Sequence, residues 1–257
     1  MSSFCKELFA LSGKVALVTG GGAGIGRTMA TALAKAGASV VVAARREEQL
    51  AQTAAQIAAQ GGNCEFVAAD LSEADRFPKF VEQASQPFGS PDILVNAAGV
   101  NLRQPADKIT LESWEQTLGI NLRTPFFLAQ ALVPAMRHKG WGRVINLASL
   151  QSQRAFPQGL AYGASKGGVE QLTRAMAEAW SKHGIGCNAL APGFFPTELT
   201  AAVFNDPERA AGNAAQTAIG RNGELRDLEG ITIFLASSAS DYITGQTIYL
   251  DGGFTAK

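Results

Sequence analysis

A chain of 257 residues, 46% of them hydrophobic, can bury a sizeable core, so it forms one large α/β domain or two small ones and is not disordered. Its 22 basic residues equal its 22 acidic residues, which argues against nucleic acid or an anionic membrane as a partner. The sequence has no run of 18 apolar residues and its first residues form no apolar signal core, so we expect neither a membrane span nor secretion.

The cysteine and histidine content favours a cytoplasmic protein without a metal site. Cys5, Cys64 and Cys187 are far apart and odd in number, which is typical of reduced thiols rather than of a disulfide framework. The histidines, His138 and His183, have no metal-ligand spacing. We therefore predict a cytoplasmic location and no bound metal.

The first predicted elements form a strand–glycine loop–helix–strand unit. Apolar residues 14–19 predict a strand, residues 27–36 a helix and residues 38–44 a second, buried strand. A glycine-rich loop at a helix N-terminus lets the backbone approach a phosphate, and the unit has about the thirty residues expected of a dinucleotide-binding motif. The alternative is a purely structural glycine turn. The residues predicted to bind the dinucleotide are Thr19, Gly20, Gly22, Gly24, Ile25 and Gly26.

The end of the second predicted strand bears on the choice of cofactor. An acidic residue there would bind the adenosine ribose and favour NAD, but Arg45 and Arg46 follow the strand instead. A guanidinium suits a 2′-phosphate, so we predict NADP, with NAD left open. In the alternative interpretation both arginines only begin a solvated helix.

Two further strand ends carry candidate cofactor residues. Asp70 and Leu71 follow a predicted strand over residues 64–68, where Asp70 either meets the adenine or caps the next helix. The fourth strand, residues 93–95, precedes a segment of mostly small residues that lets a cofactor lie against the backbone. That segment consists of Asn96, Ala97, Ala98 and Gly99.

Arg103 and Asn121 lie in the next part of the chain. Arg103 sits beyond a strand end, where ligands of open α/β sheets bind, so it either binds a substrate carboxylate or is a solvated loop residue. A long helical segment spans residues 110–138 and contains Pro125. Because proline has no amide hydrogen, we expect the carbonyl of Asn121 to be free to bind a water.

The stretch over residues 144–166 brings together groups suited to proton transfer. Ser149 follows a buried strand, and Tyr162 and Lys166 lie one turn apart on the following helix. An ammonium so close would lower the high pKa of the tyrosine. A hydroxyl, a phenol and an ammonium together can exchange a proton with an alcohol or a ketone while hydride moves elsewhere. The alternative is a chance Tyr-x-x-x-Lys spacing.

The last part of the chain predicts a cover over the cofactor and the end of the sheet. After a strand at residues 186–191, a Pro-Gly turn would cover the nicotinamide end of the cofactor, and residues 194–218 would form a substrate lid. A helix over residues 224–237 and a strand over residues 247–250 follow. The cofactor residues predicted here are Pro192, Gly193, Phe195 and Thr197.

Seven strand patterns alternate with helical patterns, without a repeat or a break in composition. We therefore predict an α/β fold: a single doubly wound, Rossmann-type domain spanning residues 1–257, with a seven-stranded parallel sheet and helices on both faces.

From about Leu11 to Gly253, the ordered motifs resemble the short-chain dehydrogenase/reductase family. The motifs are Thr19-Gly-x-x-x-Gly-Ile-Gly26, Asp70-Leu71, Asn96-Ala-Ala-Gly99, Asn121, Ser149, Tyr162-x-x-x-Lys166 and Pro192-Gly193. Ala97 replaces a frequent second asparagine. Ala23 replaces a basic residue common in NADP enzymes, so NADP preference rests on Arg45, aided by Arg46.

The resemblance implies the following roles. Tyr162 would be the general acid/base, and Lys166 would bind the nicotinamide ribose and lower the tyrosine pKa. Ser149 would orient the substrate oxygen, and the backbone of Asn121 would hold a water in a proton relay. The resemblance also implies a homotetramer.

Finer details are similar to gluconate 5-dehydrogenases, which interconvert gluconate and 5-ketogluconate. They are Leu150-Gln151-Ser152, Trp180 with His183-Gly184, and the segment from Leu190 to Glu198. The implied substrate is a secondary alcohol or ketone such as a sugar acid or polyol, bound by Arg103, Gln151 and Arg154. The alternatives are a 3-oxoacyl thioester reductase, a broad-specificity carbonyl reductase, or a non-catalytic dinucleotide-binding sensor.

Overall fold

Short apolar runs form the strands of the computed structural model, which describes residues 3–257. Residues 1 and 2, part of the predicted domain over residues 1–257, lie outside the described residues. The strands are β1 (Val15–Thr19), β2 (Ser39–Ala44), β3 (Asn63–Ala68), β4 (Ile93–Asn96), β5 (Gly142–Leu147), β6 (Ile185–Pro192) and β7 (Thr247–Leu250).

Across residues 3–257, these seven strands form one sheet in the order β3-β2-β1-β4-β5-β6-β7. Every neighbouring pair is parallel. All residues of β1, β4 and β5 are buried, as expected when helices cover both faces of a parallel sheet. The predicted seven-stranded, doubly wound parallel sheet is therefore confirmed.

Helices pack on both faces of the sheet. They are α1 (Ser3–Phe9), α2 (Gly24–Lys35), α3 (Glu47–Ala59), α4 (Phe77–Ser85), α5 (Leu111–Leu118), α6 (Thr124–Lys139), α7 (Leu160–Trp180), α8 (Ala201–Phe204), α9 (Pro207–Gln216) and α10 (Asp227–Ala236). Successive strand residues point to opposite faces. Val18 packs with residues of α2, α3 and α10, whereas Leu17 packs with residues of α4, α6 and α7.

Three helical segments differ from the sequence prediction. Helix α1 was not predicted, and the helix expected from Ser72 begins only as a 3₁₀ turn over Ala74–Arg76 before α4. The predicted helix over residues 110–138 is divided by a π-helical turn, Gly119–Arg123. This turn lies just before Pro125, which cannot donate a backbone hydrogen bond, so the wider turn accommodates the interrupted helix.

The strand order determines where on the sheet a ligand-binding crevice is expected. Strand β1 lies between β2 and β4, so chain connections leave its carboxyl end in opposite directions. Such a point opens a crevice at the carboxyl edge of the sheet, where open α/β folds bind ligands. Because the strands are parallel, the loops after β1, β2, β4 and β5 all reach this edge.

Candidate active site

The glycine loop after β1 fits closely against its neighbours. Gly20 has φ +68°, and a Cβ on it would lie 2.8 Å from the peptide atoms between Ala97 and Ala98. A Cβ on Gly26 would lie 2.2 Å from the Gly20 carbonyl oxygen. Only glycine fits this approach, so the loop can turn tightly and present its backbone to a ligand.

The N-terminus of α2 is suited to a phosphate. Its N-cap is Ala23, and no described side chain caps the helix. The first amides of α2 are therefore left to bind an anion, which the helix dipole also favours. The residues of this loop fit the pyrophosphate of a dinucleotide.

A cavity of about 720 Å³ extends from this loop along the carboxyl edge of the sheet. The predicted cofactor residues that line it are Gly20, Gly22, Gly24, Ile25, Gly26, Arg45, Arg46, Asp70, Leu71, Ala97, Ala98, Gly99 and Thr197. Ala23, Gln49 and Leu199 line it too, and the sequence analysis did not select them for binding. Residues distant in sequence thus form one elongated site of dinucleotide size.

Seven other predicted cofactor residues do not line this cavity: Thr19, Asn96, Tyr162, Lys166, Pro192, Gly193 and Phe195. The Thr19 hydroxyl accepts a hydrogen bond from the Ala98 amide at 3.2 Å, and the Asn96 amide donates to the Asn146 side chain at 2.9 Å. Both side chains are buried because helices cover both faces of the sheet. Their cofactor roles stay predictions, and Thr19 positions the loop that carries Ala98.

Asp70 does not cap the next helix, because α4 begins at Phe77 with Arg76 as its N-cap, and its contact with the adenine stays a prediction. Its Oδ1 accepts a hydrogen bond from the Ser72 amide at 2.9 Å, and this bond is the main reason why the pKa of Asp70 is lowered. The same residue lines the cavity. Asp70 therefore shapes its own turn while facing the ligand space.

Arg46 already has a partner that the sequence did not indicate. Its Nη2 lies 2.5 Å from Oε2 of Glu198, and the Gln49 amide donates to Oε1 of the same carboxylate at 3.3 Å. Arg46 and Gln49 lie at the start of α3, and Glu198 lies in the segment 194–218 that is predicted to be a lid, so they line two walls of the cavity. The contact joins residues 152 positions apart, so no local pattern could reveal it.

The proton-transfer groups meet at the carboxyl end of β5. The Ser149 hydroxyl hydrogen-bonds to the Tyr162 phenol. Lys166 Nζ lies 5.6 Å from the centre of the Tyr162 ring and donates to the Leu147 carbonyl at 2.5 Å. The spacing of four residues thus places both side chains of α7 against the end of the strand that precedes Ser149.

Asn121 completes this group from the π-helical turn. Its side chain exchanges two hydrogen bonds with the backbone of Val100, each 2.9 Å long, and donates to the Ser165 hydroxyl at 3.0 Å. A Cβ on Gly99 would lie 3.3 Å from Asn121 Oδ1 and 3.9 Å from Lys166 Nζ. Gly99 therefore joins the cavity to the group formed by Asn121, Ser149, Tyr162 and Lys166.

Burial dominates the proton affinities in this group. The pKa of Tyr162 is raised by desolvation, although the Ser149 hydrogen bond and the charge of Arg103 lower it in part. Desolvation lowers the pKa of Lys166 to about 8. Lys166 is not among the causes of the pKa shift of Tyr162, so its lowering of the tyrosine pKa stays a prediction.

The predicted substrate residues lie near the proton-transfer groups in different ways. Arg103 is near enough to act electrostatically on Tyr162, whereas the Arg154 guanidinium lies 5.4 Å from the Phe254 ring centre. Gln151 Oε1 and Asn101 Oδ1 are buried and have no hydrogen-bond partner within the described part of the chain. Sequence reasoning missed Asn101 and Phe254, since neither belongs to a motif.

Two classes of site are not found within residues 3–257. No group of three or more His, Cys, Asp or Glu residues there could hold a metal ion. None of the helices in this range has the length and hydropathy required to span a bilayer.

The chain is similar in sequence to known oxidoreductases. A family model described as enoyl-(acyl carrier protein) reductase matches residues 20–255. Gluconate 5-dehydrogenase of Gluconobacter oxydans (strain 621H) is 37% identical over 98% of each chain. The 2-dehydro-3-deoxy-D-gluconate 5-dehydrogenase of Escherichia coli (strain K12) is 40% identical over 97% of this chain and 98% of its own.

The structural comparison agrees with these matches. A gluconate 5-dehydrogenase from Burkholderia cenocepacia J2315, solved in complex with NADP and tartrate, superposes with a TM-score of 0.93. It is 39% identical, and the alignment covers 98% of this chain and 99% of that chain.

Proposed function

The chain belongs to the short-chain dehydrogenase/reductase family, and on that premise we propose that it is an NADP-preferring oxidoreductase acting on a secondary alcohol or ketone. When bound, NADP(H) supplies or accepts the hydride. The contact of Ser149, Tyr162 and Lys166 at the end of the cavity carries the proposal.

The chain's own residues move the proton. The Tyr162 phenol donates a proton to the substrate oxygen during reduction and removes it during oxidation. Ser149, already hydrogen-bonded to that phenol, orients the same oxygen. Lys166 holds the nicotinamide ribose, and Asn121 supports the proton relay to solvent through a water on its carbonyl.

The charge at the end of β2 supports the preference for NADP over NAD. Arg45 and Arg46 line the cavity, and a guanidinium binds a phosphate with several charge-assisted hydrogen bonds. The strand itself ends with Ala44, so it offers no carboxylate to the ribose hydroxyls of NAD. NAD remains a weaker second cofactor.

For the substrate we propose a sugar acid of the gluconate/5-ketogluconate class or a related polyol. Arg103, which acts electrostatically on Tyr162, would bind the carboxylate, and Arg154, beside the Phe254 ring, would assist. The unpaired Gln151 Oε1 would accept a hydrogen bond from a sugar hydroxyl. Relatives named for gluconate and deoxygluconate oxidation support this class.

The alternative substrate is a 3-oxoacyl thioester, because a rhamnolipids biosynthesis 3-oxoacyl-[acyl-carrier-protein] reductase of Pseudomonas aeruginosa is 36% identical over 96% of this chain. The discriminating experiment follows NADPH and NADH absorbance with 5-ketogluconate, an acetoacetyl thioester and an aryl ketone. NADPH oxidation with 5-ketogluconate supports the sugar-acid proposal. Turnover of only the thioester or the aryl ketone contradicts that substrate class, and tight NADPH binding without any turnover favours the sensor.

We also propose that the enzyme is a cytoplasmic homotetramer. Exposed apolar side chains on three consecutive helices support subunit contacts: Leu111 on α5, Phe127 on α6 and Leu160 on α7. The cysteines Cys64 and Cys187 form no disulfide, in keeping with a reducing compartment. Light scattering coupled to gel filtration tests the assembly, and a monomer at micromolar concentration would contradict it.

A further inference from the structure

Glu198 crosses the cofactor cavity from the lid to α3. It follows Thr197, whose methyl group lies 3.1 Å from the position of a Cβ on Gly24. Its carboxylate contacts Arg46 at 2.5 Å and accepts from Gln49 at 3.3 Å. One acidic side chain is thus held by two residues of the opposite wall.

The Glu198 carboxylate carries its charge at neutral pH. Its pKa lies below the ordinary value, mainly because of the Arg46 hydrogen bond and less because of Gln49. Arg27 adds to the same effect from α2. Glu198 is therefore an anion held by Arg46 and Gln49, which both line the cavity, while Arg27 acts on it only through its charge.

Arg46 is also a residue that the proposed function assigns to the 2′-phosphate of NADP. A phosphate monoester carries about −1.5 to −2 charges near pH 7 and three acceptor oxygens, against one charge and two oxygens for a carboxylate. The Glu198 carboxylate occupies Nη2 of Arg46, so a phosphate that binds this end of the guanidinium would compete with it. The ribose hydroxyls of NAD carry no charge, so they leave the ion pair with Glu198 intact.

Resting on the proposed function, we propose that Glu198 is a specificity-determining residue that competes with the 2′-phosphate for Arg46. The ion pair must open before the phosphate binds, so Glu198 weakens the binding of 2′-phosphorylated ligands selectively. Both partners are more than half exposed, at 58% and 60% of their side-chain surface, so solvent screens the pair. The expected selective effect is accordingly about two- to fivefold in affinity.

The experiment measures dissociation constants by calorimetry for 2′,5′-ADP and 5′-AMP, which carry no nicotinamide and report no turnover. Glu198→Gln removes the charge while nearly preserving side-chain shape. It should tighten 2′,5′-ADP binding about two- to fivefold and leave 5′-AMP unchanged. Glu47→Gln is the matched control, because it removes a carboxylate adjacent to Arg46 in sequence that is not its ion-pair partner.

A double-mutant cycle identifies the route of the effect. In the Arg46→Gln background, Glu198→Gln should no longer change 2′,5′-ADP affinity, because the guanidinium for which the carboxylate and the phosphate compete has been removed. Persistence of the gain there, or an equal gain from Glu47→Gln, would mean general charge repulsion and would overturn the inference.

The two proposals fail in different ways. If Arg46→Gln weakens 2′,5′-ADP binding but Glu198→Gln has no effect, the NADP assignment survives and the competition is wrong. If wild-type protein binds 2′,5′-ADP no more tightly than 5′-AMP, and Arg46→Gln changes neither, both the NADP preference and the competition are wrong.

Discussion

At the residue scale, burial sets the proton chemistry of the site. Desolvation raises the pKa of Tyr162 and lowers the pKa of Lys166, because burial disfavours the charged form of each side chain. The Ser149 hydroxyl and Arg103 counteract the effect on the phenol. An anionic dinucleotide close to Lys166 would favour its ammonium form, so cofactor and proton binding are coupled.

Replacing Tyr162 with phenylalanine should reduce turnover by about 10²- to 10⁴-fold, since it removes the proton donor. NADPH binding should be unchanged because the ring remains. Stopped-flow absorbance measures turnover, and fluorescence titration measures NADPH binding. Tyr242→Phe, at a fully exposed tyrosine, is the control, and near-normal turnover in Tyr162→Phe would contradict the assigned role.

NADPH affinity should depend on pH through Lys166. Its pKa of about 8 means that the ammonium is present below pH 8 and is lost as the pH rises further. Affinity should then fall above pH 8, by up to about tenfold per pH unit. Lys166→Gln should abolish this inflection, and Lys182→Gln should retain it. If the dissociation constant of NADPH for the wild-type protein does not change between pH 6 and 10, Lys166 protonation is not coupled to NADPH binding.

At the element scale, the glycine loop and the π-helical turn shape the site through backbone geometry. The loop needs the close contact of Gly26 with the Gly20 carbonyl, which brings the start of α2 beside β1. The π-helical turn, Gly119–Arg123, places Asn121 where its side chain pairs with the backbone of Val100. Each element thus fixes one end of the site.

Gly26→Ala should lower the free energy of unfolding by about 1–3 kcal/mol, because the added Cβ meets backbone that cannot move aside. It should also weaken NADPH binding by displacing the loop. Gly230→Ala, in α10 with open space around its Cβ, should be neutral or stabilise by up to about 1 kcal/mol. Urea unfolding and NADPH titration test both variants. Equal changes in stability and affinity for Gly26→Ala and Gly230→Ala would contradict the importance of the close contact between Gly26 and the Gly20 carbonyl.

At the scale of the whole molecule, Arg143 links the central sheet to the chain after α10. It is 3% exposed, and its Nη2 donates to the Ser237 carbonyl at 3.2 Å and pairs with Asp241. Its guanidinium also lies 4.5 Å from the Trp141 ring centre, and Lys14 lies 3.8 Å from the same centre. This cluster joins distant segments in one tertiary contact.

Arg143→Met should reduce the free energy of unfolding by about 1–3 kcal/mol, because the Ser237 carbonyl loses one of its donors and the ion pair with Asp241 is removed. Arg226→Met is the control. That side chain is 82% exposed and 4.0 Å from Glu224, so its loss should change stability by less than about 0.5 kcal/mol. Equal urea midpoints for the two variants would show that Arg143 adds no stability.

The amino-acid sequence by itself determined the seven parallel strands, the glycine loop and the positions of Ser149, Tyr162 and Lys166. These depend on local spacing: apolar runs, glycine at a strand end, and a separation of four residues, about one turn, on one helix. Fold and family were therefore predictable without coordinates.

Only the tertiary structure decided which side chains face the cavity and how strongly they hold protons. Thr19 and Asn96 are buried outside the cavity, burial raises the tyrosine pKa, and Glu198 pairs with Arg46 from the predicted lid. Each result depends on residues far apart in sequence, whose contacts follow from strand order and side-chain direction. Local sequence patterns carry no information on desolvation or on such pairings, because both arise only when the chain is packed.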